Sequence, residues 1–437
     1  MKRRSLLLLG SWLLLPVFFH PSLQAGKAGD GPPKKMFSKD QKSEQIGKVL
    51  EVELSDFNAL QDKAYLGNLY RNGVYTTKGL PSLKGVKWSF KAGGGIRSSP
   101  VVVDGVVYIG CDDGNLYALN AKDGSLKWKF DTGGMVRGSA EVCDGVVYVG
   151  SVSKKVYAIG AKDGKMLWEH ETKGLINKTP TVARGLVCVG DGPKILEKCE
   201  EWQYGPSGTV IALRASDGKL VWESSFGAQG LTALSCDGEF FYANESYNLK
   251  NGSSNKTGEA LKKTIDVGSG GVWTAASVDG DKCYASCLYS GVISAVSKEG
   301  KELWSRSHNK INEKLNYKYG GDAGTGIPGG LTLTEKLLIY GVEDGHVYGM
   351  NKENGDIVWS FQSGKGMIVY GTPVVAGGLV YVGTLGINGG GDVIALKVDD
   401  GKLVWKHPAG KQIWGTVWPG DGVVYFACVD GTVCALE

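Results

Sequence analysis

Apolar residues fall in short unbroken runs, such as Val101-Val102-Val103 and Val106-Val107-Tyr108, with Asp-Gly pairs between them. Successive side chains of a strand point to opposite sides, so a run that is apolar at every position predicts a strand covered on both faces. An Asp-Gly pair between two such runs predicts a tight hairpin, because its turn needs positive φ. Written under itself, the chain repeats with a period of about 40 residues, the spacing of a repeat architecture. The clearest copy runs from Ser99 to Phe130, and the next carries Asp144-Gly145, Val156-Tyr157-Ala158 and Asp163-Gly164 before Trp168. Each copy reads as four strands, A to D, with Asp-Gly turns joining A to B and C to D.

The fourth residue after each C–D glycine is Trp128, Trp168, Trp222, Lys262, Trp304, Trp359 or Trp405, and Trp88 opens the series. B strands are expected to start near Val106, Val146, Leu186, Glu239, Lys282, Leu337, Leu379 and Val423. Both counts are eight. They agree only if the last unit, which ends at Glu437 after its C strand, takes its D strand from the segment around Trp88. The expectation is an all-β fold: an eight-bladed β-propeller of four-stranded antiparallel blades, closed by the N-terminal strand 86–91, which completes the last blade. Closure leaves no terminal edge exposed. The seven tryptophans of this series, Trp88 included, read as blade-docking wedges rather than ligand contacts.

Glycine is abundant, 67 of 437 residues, which suits many tight turns. Apolar content of 42% excludes a disordered chain. The formal charge of +4 includes Lys2, Arg3 and Arg4, in a segment without acids. The rest is close to neutral, which argues against nucleic acid as a partner. Those three charges precede an apolar stretch, Leu6 to Phe19, and then Leu23-Gln24-Ala25. This is the pattern of an export signal over 1–25, shorter than a membrane span. Residues 26–70 read as a linker and 71–437 as the propeller. The first cysteine is Cys111, so no lipid-bearing cysteine follows the signal, and an exported monomer, periplasmic or secreted, is expected. Cys111, Cys287 and Cys428 share one repeat position, and Cys143 and Cys236 another, which predicts buried thiols rather than disulfides.

Insertions fall at 191–207, 244–257, 309–330 and 384–391, in connections expected on one face, that of the B–C and D–A loops. Loops on a rigid scaffold carry binding. On that face the first residues of the A strands should border the channel, bringing together Arg97, Arg137, Asn177, Tyr370 and Trp414, with Gly230, Val272 and Pro328 completing the ring. Two guanidiniums beside two aromatics suit a planar anion or a carboxylate-bearing peptide. The other reading is that they pair with Asp112 or Asp113. The histidines show no metal spacing, no metal site is expected, and no catalytic residue stands out. Asn177, Asn244, Asn251 and Asn255 begin Asn-x-Ser/Thr triplets.

The motifs from Ala118 to Trp128 and from Ala212 to Trp222 resemble the tryptophan-docking repeats of the pyrroloquinoline-quinone (PQQ) type propellers, over about residues 71–437. That resemblance implies one of two branches. One is the quinoprotein dehydrogenases; the other is non-catalytic periplasmic propellers such as the outer-membrane assembly factor BamB. The dehydrogenase branch implies PQQ with calcium and a vicinal disulfide, but this chain has no adjacent cysteines. The favoured reading is a non-catalytic binding or scaffold protein without a cofactor, taking a protein partner or small anion on the loop face. The rival is a PQQ-dependent oxidoreductase that uses Arg97 and Arg137 for the cofactor's carboxylates and Trp414 or Tyr370 as a stacking surface.

Overall fold

The computed structural model describes residues 61–192, 208–226, 234–242, 246–265, 276–287, 291–308 and 326–437. The export signal, most of the linker, the bulk of the insertions at 191–207 and 309–330, and Gly230 and Val272 lie outside them. Among the described residues, no helix is long and apolar enough to cross a membrane.

The blades are eight antiparallel sheets, as the repeat predicts. In unit 1, strands A to D are Val101–Val103, Val106–Gly110, Asn115–Asn120 and Leu126–Asp131. A to C are almost wholly buried, whereas D alternates with solvent at the rim. The A–B turns take the expected geometry: Asp104 and Gly105 have φ of 49° and 75°. Unit 8 (Trp418–Gly420, Val423–Ala427, Thr432–Leu436) receives Val86–Lys91 as its outer strand, with Val86 opposite Leu436 and Lys91 opposite Thr432. The ring closes as expected.

Each D-strand indole reaches into the next blade. Trp88 Nε1 donates to the carbonyl of Ala121 (3.0 Å), Trp128 to Ala161 (3.0 Å) and Trp168 to Ala215 (2.8 Å). Trp222 donates to Leu249 (2.7 Å), Trp304 to Lys352 (3.0 Å) and Trp359 to Val398 (2.9 Å). The ring lies flat on the next C–D turn, whose glycine is needed for two reasons. Gly124 has φ of 75°, and a Cβ there would stand 2.6 Å from the Trp88 ring.

Unit 4 departs from the expected pattern. Lys262 is not in a D strand but in a helix, α1 (Lys256–Ile265), and that sheet has three strands. The supposed insertion at 244–257 contains the C strand, Ser246–Asn248. The turn after it is marked by Asn251-Gly252, where Gly252 N donates to Asn248 O (2.8 Å), as Gly124 N does to Asn120 O. The residue four after this glycine is Lys256. The chain turns helical there because Asn255 caps it, its Oδ1 accepting Gly258 N at 2.9 Å, ahead of good helix formers such as Ala260 and Leu261. The helix start takes over the wedge. Thr257 Oγ1 donates to Lys298 O (2.7 Å), the position that receives an indole elsewhere, and Lys256 covers Gly300.

The channel is filled by the N-terminal segment itself. Ala64, Leu66, Leu69, Arg71 and Tyr75 are buried. Carbonyls of Leu69, Tyr70, Asn72 and Gly73 accept N–H bonds from the A strands of units 4, 5, 6 and 7, through Cys236, Val278, Leu333 and Val375. Val74–Tyr75 adds in parallel to Val374–Ala376. Arg71 is the anchor: it meets Glu141 of unit 2 at 3.2 Å, Thr181 Oγ1 of unit 3 at 3.1 Å and Leu234 O of unit 4 at 3.2 Å. Both ionic side chains are fully buried. Burial pushes the Glu141 carboxyl up, and Arg71 pulls it back.

Candidate functional site

The five expected site residues do converge. Arg97, Arg137, Asn177, Tyr370 and Trp414 line one cavity of about 170 Å³ at the channel mouth, together with Lys178 and Pro328. They are not the first residues of their strands. Each stands four positions earlier, in the D–A connection, as Arg97 does before Val101 and Trp414 before Trp418. Those connections share a face with the B–C loops, as the bond from Asp112 N to Gly95 O (2.8 Å) requires.

What holds them there is a belt of hydroxyls two residues on. Gly330 N donates to Thr372 Oγ1 (2.7 Å), Thr372 N to Thr416 Oγ1 (3.1 Å) and Thr416 N to Ser99 Oγ (2.8 Å). Ser99 N then donates to Ser139 Oγ (2.8 Å), and Ser139 N to Thr179 Oγ1 (3.0 Å). Every donor serves the next blade in the same rotational sense. Except at Lys178, the residues between site residue and hydroxyl are small: a Cβ on Gly415 would stand 2.5 Å from Ser98 O, and one on Gly371 2.6 Å from Gly415 O. The triplets Arg137-Gly138-Ser139, Tyr370-Gly371-Thr372 and Trp414-Gly415-Thr416 therefore carry a legible signal that a strand-by-strand reading passes over.

The two arginines share one carboxylate. Arg137 Nε lies 2.8 Å from Asp112 Oδ1 and Arg97 Nε 3.3 Å from Oδ2. Asp113 is occupied otherwise, accepting from Tyr117 Oη and Asn115 N, which hold its carboxyl below the usual range against its burial. Arg97 stacks on Trp414 at 5.1 Å, and Trp414 meets Tyr370 at 4.8 Å between ring centroids. Lys178, which the repeat reading did not single out, adds a third cation to the lining, and desolvation lowers its ammonium to about 8. Tyr65 and Leu66, at the turn of the channel segment, form the floor.

The mouth thus has two fixed guanidiniums and a lysine against one carboxylate, with an aromatic wall. It suits an anion that brings its own negative charge. It does not suit a calcium-bound quinone. Calcium takes six to eight oxygens, largely carboxylate, whereas the one carboxylate described at the mouth, Asp112, is already held by both arginines, and the lining itself adds the amide oxygen of Asn177 and hydroxyls. No cluster of His, Cys, Asp or Glu able to hold a metal occurs among the described residues. Cys111, Cys188, Cys236, Cys283, Cys428 and Cys434 are buried free thiols, Cys287 is buried, and Cys143 is half-buried. A further buried group stands apart between units 5 and 6, where His308, His346 and Asp344 pack with Tyr348.

A closed ring of tryptophan-docked blades defines a propeller class, and the comparisons place the chain within it. The family described as outer membrane protein assembly factor BamB matches over residues 81–142, 135–198, 202–317, 289–385 and 343–437, and the chain belongs to that family. Quinoprotein alcohol dehydrogenase PedH of Pseudomonas putida is 26% identical over 165 residues, 32% of this chain and 26% of that protein. The chain thus spans about a quarter of this relative. BamB from Moraxella catarrhalis has a similar structure, with a TM-score of 0.62 at 16% identity over 82% of this chain and 100% of that one. A europium-containing methanol dehydrogenase gives 0.66 at 13% identity over 88% of this chain and 100% of that one. At these identities the structures speak for the fold alone.

Proposed function

We propose that this protein is an exported, non-catalytic binding propeller whose channel mouth holds an acidic group presented by a protein partner. The observation that carries this is the pair Arg97 and Arg137 on Asp112, beside the Trp414 wall, in a cavity of about 170 Å³. Sites that enclose a drug-sized ligand run from about 300 to 1,000 Å³. A cavity below that range fits an acidic side chain or a chain terminus better than a whole cofactor. Asp112 then acts as an internal counter-ion, and Arg97 is the more available of the two arginines, with 41% of its side chain exposed against 14% for Arg137.

The second reading, a PQQ-dependent oxidoreductase, is favoured by the sequence likeness to the Pseudomonas dehydrogenase. Calorimetry separates the two. A short acidic peptide carrying one aromatic residue should bind and lose its affinity in the Arg97→Ala, Arg137→Ala double variant. Tight binding of PQQ with calcium, lost in the same variant and accompanied by dye-linked alcohol oxidation, would make the dehydrogenase reading right. Binding of free glutamate as strongly as the peptide would assign the mouth to a small anion. Export over 1–25 is tested by N-terminal sequencing, which should begin near Gly26.

A further inference from the structure

A second cavity lies beside the N-terminal segment, on the face away from the mouth. On the face of the A–B and C–D turns, between units 5, 6 and 7, it measures about 530 Å³, inside the range of ligand sites of about 300–1,000 Å³. Val74 of the channel segment, with Leu333, Val375 and Val398 from the surrounding blades, gives it an apolar patch beside the polar Asn72 and Thr334. Its rim is acidic, with Asp279, Glu335 and Asp399 against Lys352. Lys352 is committed to Asp279 at 2.6 Å. Glu335 and Asp399 are exposed and have no ion pair among the described residues.

We propose that this well docks a basic peptide segment of a partner protein. One aliphatic side chain of the segment sits among Leu333, Val375 and Val398, and flanking Lys or Arg residues face Glu335 and Asp399. Charge complementarity selects this occupant: two unpaired carboxylates over an apolar floor favour a cation with an apolar body and repel an acidic one. The mouth on the other face is cationic, so a segment suited to one end is rejected by the other. This inference does not depend on what the mouth binds.

The test is fluorescence anisotropy of a labelled peptide of alternating Lys and Leu, titrated with the full-length protein. Saturable binding is expected. It should weaken about tenfold in the Glu335→Lys, Asp399→Lys double variant and fall with added salt. The near-isosteric pair Glu335→Gln, Asp399→Asn disturbs the turns least and should also weaken it, while Arg97→Ala should not. A peptide with Glu in place of Lys should not bind. The proposal is overturned by absence of binding, by unchanged affinity in both double variants, or by equal binding of the acidic peptide.

Discussion

The indole N–H of Trp405 donates to the carbonyl of Leu80, 2.6 Å away, although 325 positions separate them in the chain. In units 1 to 3 and in units 5, 6 and 8, the acceptor of this bond lies in the next C–D turn. Between units 7 and 8 the place of this turn is taken otherwise, because the outer strand of unit 8 is Val86–Lys91 from the other end of the ring. Leu80 stands in for it, just before Lys84 N and Gly85 N bond back to the Glu437 carbonyl. The seam is thus dressed as an ordinary blade boundary.

Loss of this seam should be costly. Trp405→Ala is expected to destabilise the protein by about 3–5 kcal/mol, and Trp405→Phe, which removes chiefly the N–H bond, by about 1–2 kcal/mol. Deletion from Asp430 onward removes the partner of Val86–Lys91 and should abolish the cooperative melt. A deletion variant that melts like the parent would show that closure does not carry the fold.

Arg71 and Glu141 test the channel segment. Either Arg71→Met or Glu141→Gln leaves the other ionic group buried and unpaired, and each should cost about 3–5 kcal/mol by chemical denaturation. The double variant should cost less than the sum, with a coupling of a few kcal/mol in the cycle. Additive costs would mean that the ion pair does not hold the segment.

The helix start in unit 4 makes a milder prediction. Thr257→Val removes the bond to Lys298 O and should cost about 1–2 kcal/mol. Hydrogen exchange should quicken first between units 4 and 5, since the wedge there is a methyl-bearing side chain rather than an indole.

His308 sets a pH dependence. It is fully buried, and desolvation, with a smaller push from His346, lowers it to about 4, against an ordinary value of 6.5, while Asp344 opposes this. The folded state therefore binds fewer protons than the unfolded state between these values, and stability falls as pH drops through 6.5 toward 4. The loss approaches about 3 kcal/mol at the acid end. His308→Phe should flatten the melting temperature across this window. An unchanged slope would assign the acid sensitivity elsewhere.

Lys178 predicts the pH response of the mouth. With its ammonium lowered to about 8, affinity for an acidic peptide should fall as pH rises through that value, and Lys178→Met should remove the step. Calorimetry at pH 6.5 and 9 reads both.

The ring was legible because its determinants repeat. Val106-Val107-Tyr108 and the Asp-Gly turns state the strand and its hairpin directly, and B-strand starts were located to within one residue even in unit 4, at Phe240 rather than Glu239. The channel-mouth residues were legible for the same reason, as a column in the repeat. What did not repeat stayed hidden. Lys262 comes from counting from Gly258, because the true turn glycine, Gly252, has Lys256 rather than Trp four residues on and so lacks the mark that flags the other turns. Arg71 and the segment around it occur once, so no periodicity marks them, and their burial comes from meeting A strands of units 2 to 7 that are distant in the chain.

The belt of hydroxyls gives the mouth a sense of direction. The hydroxyl of Thr416 receives the Thr372 N–H, two residues from Tyr370, and that of Ser139 receives the Ser99 N–H, two residues from Arg97. Removing one hydroxyl orphans a donor in the preceding blade and leaves the following blade's donor paired. A fault at Ser139 therefore reaches Arg97 before Asn177, and one at Thr416 reaches Tyr370 before Arg97. Perturbation travels around this orifice like a ratchet, one way only, and paired substitutions on neighbouring blades should interact unequally according to which stands upstream.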